Sequence, residues 1–245
     1  MAENKVIIDS QGLDFKELNQ QIKENQAQEI TLNSVCGQRY IGAGLKNKTI
    51  TINGIPGNAL GFCLDNSTIE VMANAQDSVG DTMNEGTIIV HGCVGDACGY
   101  AMRGGKIYIK KSAGYHLGIH MKAYKEKQPL IIIGGSCGSF LGEYLAGGTI
   151  IVLGLDSEDK PPVGFFCGNG MHGGKIILRT DHLPLDLPKQ VLYHDATDED
   201  IENIRFKIDE YCNIFSLDKD LITRHHFFIL EANSSNPYKQ LYVNV

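Results

Sequence analysis

Two histidines, His116 and His120, flank Gly118 and could bring two imidazoles to one edge of the fold. A metal site needs at least a third ligand, and no acid stands at a fixed spacing nearby. Asp77, Asp81 and Asp96 lie around Gly80 and Gly99 and could form an acidic row of the kind that cleaves glycosidic bonds. Aspartate is also a favoured turn residue, and the turn role is the simpler expectation. Gly168-Asn-Gly170-Met-His-Gly173 has the spacing of a dinucleotide-binding loop, but such a loop must open a helix, and Ile176-Ile-Leu178 predicts a strand instead. Arg103, Glu143 and His172 are the polar side chains best placed to act in a groove; each flanks a glycine. The seven cysteines contain no C-x-x-C pair, which argues against iron–sulfur or zinc ligation.

Whatever these residues do, a repeat positions them. Isoleucines open short β-branched segments at Ile50, Ile69, Ile88, Ile107, Ile131, Ile150 and Ile176, mostly 19 residues apart, and Glu29–Leu32 fits one step earlier. A glycine series runs in phase: Gly42, Gly61, Gly80, Gly99, Gly118, Gly142 and Gly164. An aliphatic series follows three residues after each glycine: Leu45, Leu64, Met83, Met102, Met121 and Leu145, with Met171 if an insertion is allowed. Within the coils, Gly54, Gly57 and Gly61 repeat as Gly92, Gly95 and Gly99 and as Gly135, Gly138 and Gly142, with a degenerate copy at Gly114 and Gly118.

Strands that recur at one phase must run in one direction. The expectation is an all-β chain: a right-handed parallel β-helix, a single-stranded solenoid of about seven 19-residue coils over residues 29–180. Residues 1–28 and 181–245 should close its ends with capping helices and an extended tail. Asp14 and Glu17 make a capping box before Phe15, Leu18 and Ile22. Ile201, Ile204, Ile208, Tyr211 and Phe215 predict an amphipathic helix. Insertions within 119–129 and 155–162 and around 167–170 mark a candidate interface, with Arg103, His120, Lys122, Tyr124, Glu143 and His172 as its polar residues.

The chain has 245 residues, 28 of them glycine, and a formal net charge of −7. That balance argues against nucleic acid and anionic membranes as partners. No apolar run is long enough to span a bilayer, and residues 1–15 lack a signal-peptide core, so a cytoplasmic location is expected.

Gly54-Ile-Pro-Gly-Asn-Ala-Leu-Gly61, Gly99-Tyr-Ala-Met-Arg-Gly-Gly105, Phe140-Leu-Gly-Glu-Tyr-Leu-Ala-Gly-Gly148 and Gly170-Met-His-Gly-Gly174 resemble the C-terminal domain of the glutamate synthase large subunit, above all its stand-alone form. The likeness covers about residues 30–180 and reaches weakly to Pro237–Tyr242. It departs at Lys110-Lys111, where a glycine is usual. The related scaffold polypeptide of formylmethanofuran dehydrogenase is similar in coil pattern. The resemblance implies a non-catalytic scaffold between a glutamine amidotransferase and a flavin-binding synthase. FMN and iron–sulfur clusters would then sit in partner subunits, with no cofactor in this chain and homo-oligomerisation open. The alternative it carries is the equivalent scaffold of a formylmethanofuran dehydrogenase/formyltransferase complex.

Overall fold

A computed structural model describes residues 4–233. Nine strands pair in parallel, in chain order: β1 (Lys5–Asp9), β2 (Glu29–Cys36), β3 (Thr49–Ile55), β4 (Ser67–Val71), β5 (Gly86–Val90), β6 (Lys106–Ile109), β7 (Leu130–Ile133), β8 (Ala146–Val152) and β9 (Gly173–Arg179). Helix α1 (Phe15–Glu24) lies between β1 and β2 in sequence. After β9 come β10 (Val191–Asp195), α2 (Asp198–Phe215), α3 (Lys219–Thr223) and β11 (Phe227–Ala232). β11 pairs antiparallel with β9, and β10 antiparallel with β11, completing one eleven-stranded, mostly parallel sheet. The Pro237–Tyr242 tail lies outside the described residues.

The isoleucine series is the register of this sheet. Ile30, Ile50, Ile69, Ile88, Ile107, Ile131, Ile150 and Ile176 pair one onto the next, and Leu230 ends the row. All are buried. Each fully buried side chain of this size contributes about 1.5–3 kcal/mol, so the row is a main source of stability.

Two further lines of backbone bonding join successive repeats. Isolated parallel bridges link Ala75, Val94, Ala113, Cys137 and Val163. At the glycine corners, the N–H of Gly61, Gly80, Gly99, Gly118, Gly142 and Gly168 donates to Ile41, Leu60, Val79, Cys98, Leu117 and Leu141 of the preceding coil. The core lies between the sheet and these lines, and the expected Leu/Met series from Leu64 to Met171 is buried within it.

One register differs from expectation. The corner glycine after Gly142 is Gly168, not Gly164. Gly168 has φ +72° and stands three residues before Met171, as every corner glycine stands before its aliphatic partner. Gly164 donates instead to Cys137 and Gly138, in line with the inner glycines. The insertion therefore precedes the corner rather than following it.

The flanks also differ. β1 adds a strand before α1, whose Leu18 and Ile22 are buried in the main core, with the Asp14 capping box formed as expected. β11 and β10, rather than a helix, cover the edge of β9. α2 packs on the outer face of the sheet: Ile204, Ile208, Tyr211, Cys212 and Phe215 cluster with Tyr108, Ile132, Ile151 and Ile177. Outward positions at mid-strand are polar early (Thr51, Glu70) and apolar from Ile89 onward, so the later coils carry a second apolar face that needs cover. The Tyr211 hydroxyl donates to the Ile109 carbonyl at 3.0 Å, and Lys106 pairs with Glu210 at 2.7 Å.

Candidate functional site

Each corner is built from left-handed backbone at alternate residues. Around the corner glycine, the residues two before and two after also take positive φ. The leading position holds Tyr40, Ala59, Ser78, Ala97, His116, Phe140 and Phe166; the trailing one holds Gly44, Cys63, Thr82, Ala101, His120, Tyr144 and Gly170. Parallel strands of neighbouring coils lie about 4.8 Å apart. Aromatic rings at one corner position of adjacent coils therefore meet face to face.

Two short stacks result. His116 stacks on Phe140 at 4.8 Å between centroids, and Phe140 on Phe166 at 5.1 Å. Beside them His120 stacks on Tyr144 at 5.0 Å, with Tyr100 edge-on at 5.9 Å. Glu143 sits between the stacks, its side chain only 12% exposed. It accepts from the Asn169 amide at 3.0 Å and lies 3.0 Å from His116 Nδ1. Those contacts fix the imidazole ring while its outer edge stays accessible. The ridge ends at Phe165 and Phe166, 68% and 49% exposed, beside the fully exposed Leu185.

Of the six expected interface residues, the structure puts His120 and Glu143 in this ridge, joined by a backbone bond from the His120 N–H to the Glu143 carbonyl. Arg103, Lys122 and His172 occupy a separate column four residues after their corner glycines, their N–H groups donating to Met83, Met102 and Leu145. Tyr124 lies in the insertion, closed by reciprocal 3.1 Å bonds with Lys127, whose ammonium reaches Glu85 at 2.7 Å. Sequence reasoning missed Phe140, Tyr144, Phe166 and Asn169. The available signal was offset from the corner glycine: Phe140 and Phe166 share theirs with His116, Tyr144 with His120, and Asn169 with Glu143.

The other chemical candidates resolve as structure. Asp77 accepts from the N–H of Asp96, and Asp96 from that of Tyr115, each bridging to the next coil. Asp81 accepts from Thr82. The Gly168–Gly173 run turns a corner and enters β9, so no helix N-terminus meets it. Among the described residues no group of three His, Cys, Asp or Glu side chains is arranged for a metal ion, and no helix is long and apolar enough to cross a membrane. Cys98, Cys137 and Cys167 are core rungs; burial pushes the first two thiols up to about 12 and the third upward as well.

The inner glycines serve close approach. A side chain at Gly54 or Gly57 would run into the backbone of Val35 or Gly37, and one at Gly92, Gly95, Gly114 or Gly135 into Asn74, Asp77, Asp96 or Ser112 of the neighbouring coil. Gly138 and Gly164 are hemmed in by Gly114 and Ser139 in the same manner. Residues 14–228 match the GXGXG motif family.

The chain belongs to the GXGXG motif family.

Among similar sequences, an uncharacterized protein of Methanocaldococcus jannaschii is 42% identical over 251 residues, covering 97% of this chain and 96% of that protein. Among solved structures, a chain in the X-ray structure of the formyltransferase/hydrolase complex FhcABCD from Methylorubrum extorquens, in complex with methylofuran, superposes with a TM-score of 0.63. It is 23% identical, and the match covers 82% of this chain and 71% of that one. This GXGXG protein therefore shares its fold with a chain of a multisubunit assembly.

Proposed function

We propose that this GXGXG protein is a non-catalytic scaffold subunit, a right-handed parallel β-helix on whose aromatic ridge the working subunits of a formyl-transferring complex are mounted. The observation that carries the reading is the fold likeness to a chain of the FhcABCD assembly over most of this protein. The ridge supports it: exposed stacked aromatics held by a fixed hydrogen-bond network are the composition of interface anchors. Scaffolding also fits a chain whose histidines and acids are engaged in stacking and in bracing turns.

A second reading rests on the sequence strings shared with the glutamate synthase domain. There the scaffold would join a glutamine amidotransferase to a flavin-binding synthase, with FMN and iron–sulfur clusters in those partners. Native purification with an affinity tag separates the two. Formyltransferase and hydrolase subunits in the complex support the first. Glutamine-dependent glutamate formation with flavin in the complex supports the second and refutes the first. In either complex, Phe166→Ser should weaken subunit retention about tenfold or more, as removal of an exposed aromatic anchor does; undiminished retention rejects the ridge as the mounting face.

A further inference from the structure

Among the described residues, β1 and β10 are the two edge strands of the sheet. In the parallel pairing of β1 with β2, the Asn4 carbonyl accepts from Glu29 at 3.0 Å and the Ser10 N–H donates to Asn33 at 2.8 Å. A parallel ladder engages alternate residues, so positions 4, 6, 8 and 10 face β2. Lys5, Ile7 and Asp9 then direct their backbone N–H and carbonyl groups outward, along the open edge. Their side chains share the outer face of the sheet and are exposed, Ile7 by 70%. An open groove bounded by Val6–Asp9, Leu13 and Gln21, Glu24 and Asn25 of the α1 side lies beside this strand.

We infer that β1 is the contact of a homodimer, in which two copies join their sheets through antiparallel β1–β1 pairing centred on Ile7. A two-fold axis at Ile7 brings Lys5 of each copy opposite Asp9 of the other. All three facing pairs then present their free backbone groups to each other, and each exchanges two hydrogen bonds. Unlike charges meet at both ends, and the two Ile7 side chains pack on the outer face. The parallel alternative would set Lys5 on Lys5 and Asp9 on Asp9, so the charge pattern itself selects the antiparallel arrangement. Lys5 also pairs with Glu29 of its own copy at 2.6 Å, so the cross-copy contact adds Asp9 to an existing ion pair. β10 lacks the self-complementarity: two-fold pairing about Tyr193 would set Asp195 against Val191. One short strand pair makes a small interface, so the dimer should dissociate on dilution. A second copy is the occupant because the strand is complementary to itself.

Sedimentation of the full chain over a concentration series tests this. The wild type should shift from monomer toward dimer as concentration rises. Asp9→Lys and Lys5→Asp, each alone, should raise the dimer dissociation constant about tenfold or more, since like charges then face each other at both ends. Circular dichroism checks that each variant is folded. An equimolar mixture of the two variants should restore a mixed dimer, because unlike charges again meet at both ends. Misfolding cannot produce that rescue. Tyr193→Lys, at the other edge, should leave association unchanged. A wild type monomeric at every concentration overturns the inference. So does association that is unaffected by Asp9→Lys, lost in Tyr193→Lys, or not restored in the mixture.

Discussion

Replacing Gly61 by alanine tests the packing of one repeat against the next. Gly61 has φ +66°, and a Cβ built there lies 2.6 Å from Cδ1 of Ile88 on the inner isoleucine row. Two costs follow. Left-handed backbone costs a non-glycine residue about 1–2 kcal/mol. Overpacking against a core with no slack adds about 1–3 kcal/mol. Gly12 separates them: its φ is +79°, with nothing within 4 Å of a built Cβ, so Gly12→Ala incurs only the backbone cost. Ile88→Val deletes the atom in the way, and alone costs about 0.5–1.5 kcal/mol. In the double variant the alanine methyl partly fills the space that Cδ1 vacates. Gly61→Ala with Ile88→Val should therefore be about 1–3 kcal/mol more stable than the two single losses predict when added. The assay is urea unfolding, comparing midpoints at constant m-value. Gly61→Ala costing no more than Gly12→Ala, or strict additivity in the double variant, would refute the reasoning.

Tyr211→Phe should lose about 0.5–1.5 kcal/mol in urea unfolding, the net worth of one hydrogen bond, because the Ile109 carbonyl loses the hydroxyl but keeps the Gly134 N–H. The Thr197 hydroxyl and N–H hold the Asp200 carboxyl below its usual 3.8. Its contribution to α2 is therefore present above that pH and lost as pH falls through the depressed folded value. Asp200→Asn should lower the thermal midpoint at neutral pH and converge on wild type in strong acid; a constant gap would contradict the assignment. A thiol reagent should label Cys36 in the folded protein and reach Cys98, Cys137 and Cys167 only in denaturant, since those three are buried with raised thiol values.

What was legible in the sequence follows from what the in-register parallel sheet constrains. The inner isoleucine row could be read directly, because each position meets its own copy one coil away and must share its size and shape. α1 and α2 were legible from capping boxes and apolar spacing, which are local. The place of α2 was not, although Ile89, Tyr108, Ile132, Ile151 and Ile177 announced an outer apolar face at the alternate strand position. A strand read only for its inward residues hides that second pattern. β11 comes back to β9 antiparallel after α2 and α3, and β10, which precedes those helices, pairs only with β11 among the described residues; both lie outside any repeat, so no period pointed to them. Gly164 was misplaced because a 22-residue step lies nearer the period than the true 26-residue step to Gly168.

The ridge escaped for a different reason. Its defining property is backbone conformation, and the residues that share it, from Tyr40 through Ala59, Ser78 and Ala97 to His116, Phe140 and Phe166, have no common chemical type. The core requires like residues at like positions, whereas these corner positions, apart from the buried Ala59, are only partly buried and tolerate different residues. Where two neighbours happen both to be aromatic, the coil spacing stacks them without further adjustment, as the 4.8, 5.0 and 5.1 Å separations show. Function-specific residues on such a fold are therefore best sought as departures from uniformity in an outward column. Here the change from Ala97 to His116, Phe140 and Phe166 is such a departure, and it coincides with the coils that carry the insertions.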